Sequence, residues 1–274
     1  MTENLDKQVV DGFGDEWSRF DQSELSDDEL GKMFDEYFNI FPWEKLPAGA
    51  IGFDLGCGSG RWAKVVAPRV GELHLIEPSE ALEVAKRNLQ NFDNCKFHRA
   101  SVANIPLNDD SCDFGYSLGV LHHIPDTEAG LRACVNKLKS GAPFLLYLYY
   151  RFDNRPIWFK AMWKMSDLIR RGVSKMPYSL RFGVSQILAG IVYFPLARTA
   201  LILEKSGTDV KGFPLSQYRN NSFYTMRTDA LDRFGTRLEK RFTKKEMMEM
   251  MGNCGLENIS FGEIPFWTAV GYKK

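Results

Sequence analysis

Apolar and polar positions alternate along this chain in short blocks, and the spacing within each block is that of a strand or of a helix. Apolar runs suited to buried strands lie at 50–55, 72–76, 95–100, 112–118 and 143–150. Stretches with helical spacing separate several of them, at 61–69, 79–89 and 127–138. Because strands that alternate with helices form a parallel sheet covered on both faces, the sequence predicts an α/β fold.

The pattern also divides the chain into regions. Residues 1–46 are mainly helical, and Phe13, Trp17 and Phe20 are spaced to share one helix face. These aromatic residues are either ordinary core residues or part of a lid that excludes water from a bound ligand. The predicted regions are an N-terminal helical lid at 1–46, an α/β ligand-binding core at 47–151, a helical insertion at 152–240, and a closing helix with the last strands at 241–274.

The closing region begins with a clear helix signal. Thr243 and Glu246 are spaced as a capping box, in which two side chains satisfy free backbone donors at a helix start. The helix is expected to end near Met251, and 257–261 and 266–272 are expected to form two further strands. The sheet therefore gains strands after the insertion.

The insertion combines apolar and basic residues. Its first part has the spacing of a basic amphipathic helix, with apolar Trp158, Phe159, Met162, Trp163, Leu168 and Ile169 among Lys160, Lys164, Arg170 and Arg171. The stretch 187–203 is apolar on nearly every side, so we expect it to be buried. Its longest apolar run, 187–197, is shorter than the roughly 20 residues of a membrane-spanning helix, so no span is predicted.

Composition narrows the function classes. Lys plus Arg equal Asp plus Glu at 35 each, so net charge gives no reason to expect a nucleic-acid partner. The five cysteines are odd in number and lack a CxxC pair, which argues against a disulfide framework or a metal site and favours a reducing cytosol. The first residues lack the features of a signal peptide. We therefore expect a cytoplasmic protein without a metal.

A glycine-rich turn follows the first predicted strand. Gly56, Gly58 and Gly60 allow backbone N–H groups to approach a ligand closely, and Cys57 lies among them without a neighbour that marks it as a nucleophile. The spacing G-x-G-x-G, with Asp54 two residues before it, differs from the G-x-G-x-x-G of NAD sites. An acid at this position can receive an ammonium group, directly or through water.

A second acidic residue ends the next strand. Glu77 lies 23 positions after Asp54, where a carboxylate can accept hydrogen bonds from both hydroxyl groups of a ribose. This feature is shared by NAD sites and other adenosine sites. Only its combination with the glycine spacing distinguishes between them.

Together these motifs resemble the class I S-adenosylmethionine (SAM) dependent methyltransferases. The resemblance rests on the stretches 54–60, 77–79, 100–107, 111–114 and 118–124, in that order, and is strongest to the small-molecule enzymes of the ubiquinone and menaquinone C-methyltransferase type. It implies a Rossmann-like, mostly parallel seven-stranded sheet with an antiparallel last strand and a helical insertion after the fifth strand. It also implies that SAM lies across the carboxyl ends of the first strands.

The resemblance implies a set of cofactor contacts. Pro78 belongs to the motif of Glu77, and Ser101 and Val102 would contact the adenine, although Ser101 replaces the acid common in the family. Leu118 and Gly119 would line the path between the methyl group and the substrate. The expected cofactor residues are Asp54, Gly56, Cys57, Gly58, Gly60, Glu77, Pro78, Ser101, Val102, Leu118 and Gly119.

Two histidines follow the fourth strand. His122 or His123 could act as a general base near neutral pH, because an imidazole can remove a proton from an acceptor oxygen or nitrogen. The alternative is a structural role, since the Leu-His-His sequence occurs across family members with different substrates. Adjacent histidines point in different directions and make a poor metal pair.

The insertion is where the family places its acceptor pocket. The substrate residues we expect are Trp17, Tyr150, Trp158, Arg219, Tyr224 and Arg227. Basic residues at 156–205 suggest peripheral contact with the inner face of a membrane and an acceptor that is a lipid or lipid-linked molecule, while a plain helical cap is the alternative. The other functions left open are a NAD-dependent oxidoreductase and a non-catalytic binding protein. The oligomeric state is not predicted.

Overall fold

The computed structural model describes residues 4–152, 155–262 and 268–274 and divides the chain into two compact units. The first, which we call the sheet unit, comprises Met1–Gln22, Leu30–Arg151 and Leu238–Lys274. The second, the helical unit, comprises Ser23–Glu29 and Phe152–Arg237, and so includes most of the predicted insertion.

The sheet unit contains a seven-stranded sheet in the order β3-β2-β1-β4-β5-β7-β6. Its strands are β1 (Ile51–Leu55), β2 (Glu72–Ile76), β3 (Cys95–His98), β4 (Phe114–Leu118), β5 (Pro143–Tyr147), β6 (Leu256–Phe261) and β7 (Thr268–Lys273). The first five pair in parallel, and β7 is antiparallel to both β5 and β6. The predicted fold class, including the antiparallel last strand, is confirmed.

Helices surround the sheet and connect its strands. They are α1 (Lys7–Arg19), α2 (Asp27–Phe38), α3 (Ala63–Val66), α4 (Ala81–Asn88), α5 (Thr127–Lys137) and α10 (Lys244–Asn253). The capping box of Thr243 and Glu246 is present at the start of α10. The predicted helix at 61–69 is interrupted, because it continues after Val66 only as a 3-10 turn that contains a proline. Residues 266 and 267 of the expected last strand lie outside the described residues.

The two faces of the sheet are packed differently. Phe53 and Phe144 lie on one face, in a core that α5 and α10 complete. Phe114 and Tyr116 lie on the other face, where aromatic side chains from α2 and the segment after it cover them. The ring centroid of Phe38, for example, lies 5.3 Å from that of Tyr116. Each face is therefore closed by its own set of helices.

The helices that follow β5 form most of the helical unit. They are α6 (Ile157–Val173), α7 (Tyr178–Leu188), α8 (Phe194–Lys205) and α9 (Phe223–Gly235). A π-helical turn, Ala189–Tyr193, joins α7 to α8, so that the helix is continuous from Tyr178 to Lys205. Its core contains Val173, Ala189, Tyr193, Ala197, Met226, Ala230 and Phe234.

Two expectations for this region are wrong. The stretch 187–203 is buried only in part: Ala189 and Ala197 are buried, whereas Ile187, Ile191 and Ile202 are each more than 60% exposed. The expectation that the apolar segment is too short to span a membrane is also wrong. Gly190 and Pro195 do not end the helix, because it continues through the π turn and α8. Within the described residues, Tyr178–Lys205 is one helix long and apolar enough to cross a membrane by length and composition.

Candidate active site

The topology of the sheet determines where a ligand can bind. The chain leaves β1 toward β2 and β3 on one side, whereas β4 and β5 lie on the other side. Ligands of such sheets bind outside the carboxyl ends of the strands where this order reverses. Here that place lies after β1 and β4, next to the glycine turn and Gly119.

The glycine turn adopts a backbone that few other residues could. Gly56, Gly58 and Gly60 all have positive φ, at 76°, 54° and 79°. The turn is fixed to the neighbouring strand, because the N–H of Gly56 donates to the carbonyl of Ile76 at 2.7 Å. At Gly58 a Cβ atom would lie 3.1 Å from Nε1 of Trp17. The side chain of Trp17 therefore covers the turn.

Glu77 is held from inside the protein. Its Oε2 accepts the N–H of Gly58 at 3.1 Å, while its Oε1 accepts the N–H of Ser79 at 3.0 Å and the Ser79 hydroxyl at 2.6 Å. Burial raises the pKa of Glu77, and these hydrogen bonds oppose the rise. A carboxylate has about four acceptor positions, so one position on Oε2 remains. Accepting both ribose hydroxyls would require the Ser79 hydroxyl to turn away.

Asp54 is buried without a compensating charge. Burial raises its pKa to about 8, the Tyr116 hydroxyl opposes that rise and the Glu77 carboxylate adds to it. No donor in the described part of the chain completes a hydrogen bond to Oδ2 of Asp54. A buried acceptor without a partner is costly, so this atom is suited to receive a donor from a ligand.

The N-terminal helix lies across the same edge of the sheet. At Gly14 the backbone of α1 approaches Ser79, and the ring of Phe13 lies 5.1 Å from the ring of His123. Together with the contact of Trp17, these positions span the space between the glycine turn and the histidine pair. The prediction that this helix acts as a lid stays a prediction, and its position is suitable for that role.

The other expected cofactor residues lie around this edge. Val102 is buried in the apolar core, and the Ser101 hydroxyl accepts the N–H of Ala103 at 3.3 Å, as the cap of a 3-10 turn. Pro78 and Leu118 are half-buried, at the carboxyl ends of β2 and β4. Cys57 is buried, and burial raises the pKa of its thiol well above its ordinary value. An inert thiol is the consequence.

Gly119 leaves open space at the end of β4. It has a φ of 79°, and a Cβ atom placed on it would meet nothing within 4 Å. This opening lies where the resemblance places the path from the methyl group to the acceptor. The role of Gly119 itself stays a prediction.

The histidine pair is packed into an aromatic stack. His122 is fully buried, with its ring centroid 3.9 Å from that of His123 and 4.0 Å from that of Tyr149. Burial, followed by the charges of His123 and Arg241, lowers its pKa well below the ordinary value, so that it stays neutral. Nδ1 of His123 donates to the carbonyl of Leu238 at 2.7 Å, which leaves Nε2 as the acceptor nitrogen. Of the two, His123 has the better-defined geometry for a base.

The remaining residues expected to contact substrate divide between the units. In the sheet unit, Tyr150 is buried and its carbonyl accepts a hydrogen bond from Arg241. In the helical unit, Tyr224 is buried and Trp158 is exposed. The side chains of Arg219 and Arg227 bind neighbours within their own unit, at Glu204 (2.8 Å) and Gln186 (2.6 Å) respectively. Substrate contact by these residues stays a prediction.

Three residues of the site were not among those expected. Ser79 follows Glu77 by two positions, a spacing that could have suggested a hydrogen bond to the acid. Tyr116 could be found only from the strand register, which pairs it with Asp54 across β1 and β4. Arg241, whose guanidinium lies 5.1 Å from the Tyr149 ring centroid, has no signal in the sequence.

Comparison with known proteins agrees with this geometry. Residues 53–146 match the family model described as a methyltransferase domain. That range includes the glycine turn, Glu77, Gly119 and both histidines. Residues 53–146 of this chain therefore contain a methyltransferase domain. The expected enzyme class and cofactor are thereby confirmed, and the NAD-dependent alternative is not supported.

Similar proteins have different acceptors. A tRNA (carboxymethyluridine(34)-5-O)-methyltransferase of Macaca fascicularis is 26% identical over 146 residues, which are 46% of this chain and 21% of that protein. A demethylmenaquinone methyltransferase of Staphylococcus aureus is 28% identical over 131 residues, which are 41% of this chain and 54% of that protein. The matches therefore span between about a fifth and about half of these relatives.

A solved structure supports the fold of the methyltransferase domain. A SAM-dependent methyltransferase from Thermotoga maritima superposes with a TM-score of 0.52 at 15% identity, covering 96% of this chain and all of that one. At this level of identity the likeness concerns the fold alone.

The residues of the domain fit SAM. The unsatisfied Oδ2 of Asp54 and the raised pKa of its carboxyl both indicate a position that a cationic donor would complete, and SAM has an ammonium group. The open position on Glu77 suits a ribose hydroxyl. The glycine turn leaves room for the backbone to approach the ligand.

Proposed function

We propose that this protein transfers the methyl group of SAM to a hydrophobic small molecule, such as a quinone, a glycolipid or a polyprenyl-linked sugar. The observation that carries the methyl-transfer part is the combination of the unsatisfied Oδ2 of Asp54 with the glycine turn bound to Glu77. The hydrophobic nature of the acceptor is supported by the exposed apolar side chains of the helical unit.

SAM supplies a methyl group that its positively charged sulfur already activates. The acceptor atom forms a bond to the methyl carbon, the bond from sulfur to that carbon breaks with its electron pair remaining on sulfur, and S-adenosylhomocysteine results. The protein contributes position and exclusion of water. Asp54 and Glu77 hold the two ends of the donor, and Trp17 covers the turn between them.

An acceptor that carries a proton must lose it during the reaction. His123 is the residue we propose for this step, because the hydrogen bond to Leu238 leaves Nε2 able to accept a proton. His122 is a weaker base, since its pKa is lowered well below the ordinary value. We propose that His122 instead supports the ring of His123 through their contact.

A second acceptor class is suggested by similarity. The relatives include tRNA methyltransferases from Macaca fascicularis and Saccharomyces cerevisiae. An RNA substrate requires a cationic surface that neutralises phosphates. The sheet unit supplies cations that are largely paired with acids, such as Lys86 with Glu83 and Arg132 with Glu128. The helical unit has exposed cations, but large exposed apolar side chains lie beside them, such as Met165 and Leu168. We therefore favour the hydrophobic acceptor and test tRNA as the alternative.

The experiment is transfer of a labelled methyl group from SAM into two pools, a bacterial lipid extract and total tRNA, with Glu77→Ala as the inactive control. Label in the lipid fraction that depends on Glu77 supports the proposal. Label in tRNA alone would replace the acceptor class. Binding of SAM and S-adenosylhomocysteine in calorimetry, with no transfer to either pool, would favour a non-catalytic binding protein.

A further inference from the structure

Exposed apolar side chains are concentrated in the helical unit. Within the described residues, fifteen large hydrophobic side chains are exposed, and all of them except Met248 belong to this unit. Isolated exposed hydrophobic residues are normal, whereas concentration in one region marks an interaction surface.

The continuous helix from Tyr178 to Lys205 has one face that the protein leaves uncovered. Its exposed apolar residues are Leu180, Ile187, Ile191, Val192, Phe194 and Ile202. Leu180 and Ile187 are seven residues apart before the π turn, and Phe194 and Ile202 are eight residues apart after it, so each pair lies on one side of its own segment of the helix. Only 22% of the most apolar part of this helix is buried.

The opposite side of the same helix is committed to protein contacts. Ala189, Tyr193 and Ala197 pack in a core with residues of α6 and α9. Polar side chains also bind within the unit: Arg227 donates to Gln186 at 2.6 Å, and Arg181 donates to the carbonyl of Gly235 at 3.0 Å. A helix that spanned a bilayer would have to leave these partners or bring them into the hydrocarbon region.

Helix α6 also has an exposed apolar face, and basic residues lie beside it. Trp158, Met162, Met165 and Ile169 are exposed on α6 at intervals of four, three and four residues. Exposed Lys164 and Arg171 lie beside them, seven positions apart, and Lys175 follows the helix. These cations border an apolar face.

Acidic residues are few on these two helices. Asp167 is the only acidic residue between 156 and 203, and it is buried, where its carboxylate accepts from Nε of Arg170 at 2.7 Å and from Nε of Arg171 at 2.9 Å. Glu204, next to the end of the Tyr178–Lys205 helix, is exposed and pairs with Arg219 at 2.8 Å. Exposed acid is thus confined to the end of that helix, whereas Lys164, Arg171 and Lys175 are exposed on α6 or directly after it. A surface that is apolar and cationic matches the interface of an anionic bilayer, where apolar groups meet acyl chains and cations meet phosphate groups.

We propose that the helical unit binds the surface of an anionic phospholipid bilayer, with the Tyr178–Lys205 helix lying in the plane of the interface and its uncovered face inserted. The helix does not cross the membrane. The inference goes beyond the proposed reaction and stands without it, because it rests on contacts within the helical unit alone.

Flotation with lipid vesicles tests this binding in the absence of SAM. The full chain is mixed with vesicles of phosphatidylcholine alone or of phosphatidylcholine with phosphatidylglycerol. We expect binding to the anionic vesicles, and a loss of at least about tenfold for Leu180→Gln/Ile191→Gln/Ile202→Gln because three inserted apolar groups are removed. The matched control is Met248→Gln, an exposed apolar residue of the sheet unit, which should bind as the unaltered protein does.

The charge contribution is tested separately. Lys164→Glu/Lys175→Glu should weaken binding to anionic vesicles by about fivefold or more per altered cation. Lys245→Glu, on α10 of the sheet unit, is the control. Circular dichroism and SAM calorimetry establish that each variant is folded, since the residues proposed to bind SAM lie in the other unit.

Three outcomes would overturn the inference. A folded monomer that does not float with anionic vesicles would exclude membrane binding. A dimer in analytical ultracentrifugation that the triple variant abolishes, without vesicle binding, would assign the apolar face to a second copy of the chain. Bound protein that resists extraction with alkaline carbonate would indicate a spanning helix instead of one in the plane.

Discussion

The buried carboxylates beside the glycine turn differ from the buried carboxylate of the helical unit in how their charge is balanced. In the sheet unit, burial raises the pKa of Asp54 and of Glu77, and the charge of Arg99 opposes the rise only at Glu77. In the helical unit burial also disfavours the charge of Asp167, but Arg170 and Arg171 outweigh it and lower the pKa. An internal ion pair stabilises the fold itself. Buried acids without such a partner are suited to bind a ligand that supplies the missing hydrogen-bond donors.

Reactive side chains are divided in the same way. All four histidines and all five cysteines belong to the sheet unit, whereas the helical unit has nearly all the exposed large apolar residues. The side chains suited to chemistry are therefore in one unit, and the side chains suited to contact with an apolar environment are in the other. Predictions at Glu77, at Asp54, at Asp167 and at the histidines test this contrast.

The largest effect is expected at Glu77. Glu77→Ala removes the acceptor of a ribose hydroxyl and the partner of the Gly58 N–H, so SAM affinity should fall about a hundredfold, as for the loss of hydrogen bonds to a charged group. Calorimetric titration measures this. Glu72→Ala, at the start of the same strand, is the matched control. Unchanged affinity in Glu77→Ala would remove Glu77 from the site.

The second prediction concerns the protonation of Asp54. Because its pKa in the free protein is about 8, binding of the SAM ammonium at neutral pH should release a proton from this carboxyl. Titrations in buffers with different ionisation enthalpies count that proton. Asp54→Asn should abolish the release and weaken SAM binding about thirtyfold. Proton release that persists in the variant would show that another group titrates.

The same shift predicts how stability depends on pH without SAM. The pKa of Asp54 is raised in the folded state, so its contribution to stability is full below the unfolded value of 3.8 and is lost as pH rises toward about 8. In Asp54→Asn, the contribution of this carboxyl to the fall in stability with rising pH should disappear. Urea unfolding across that pH range checks the sign.

The third prediction addresses the paired acid of the helical unit. Asp167→Asn leaves Arg170 buried without its counter-charge, and stability should fall by about 1–2 kcal/mol, less than for a fully uncompensated ion because Arg170 also donates to the carbonyl of Thr236. Native-state hydrogen exchange locates the loss. It should appear in α6 and α9 and leave SAM affinity unchanged, whereas a loss of SAM affinity would contradict the separation of roles.

Much of the methyltransferase domain could be predicted from the sequence because its elements have local signals. Apolar runs bounded by glycine turns specify β1 and β2, and the capping box specifies the start of α10. Asp54 and Glu77 could be identified because each stands at a fixed distance from the glycine turn. Tyr116 could not, since its proximity to Asp54 depends on the pairing of two strands that are distant in the chain.

The helical unit was predicted less well for a physical reason. Gly190 and Pro195 usually disrupt helices, but Gly190 lies within the π turn Ala189–Tyr193 and Pro195 stands in the first turn of α8, so the helix continues past both. Apolar composition suggested burial at 187–203, and composition alone does not show which groups find a protein partner. The burial of Arg170 could not be predicted, because nothing in the sequence indicates that Asp167 turns inward with it.

The last prediction concerns the effect of mild acid on stability through the histidines, all of which lie in the sheet unit. Burial lowers the pKa values of His74, His98 and His122 below the unfolded value of 6.5, so the unfolded chain binds more protons as the pH falls below that value. The stability of the sheet unit should then fall by up to about 1.4 kcal/mol per pH unit for each group that titrates. Hydrogen exchange corrected for its intrinsic rate should show this loss in β2 and β3 and little change in α7 and α9. His74→Gln/His98→Gln should reduce the slope, and an equal loss in both units would show that mild acid acts through groups that the units share.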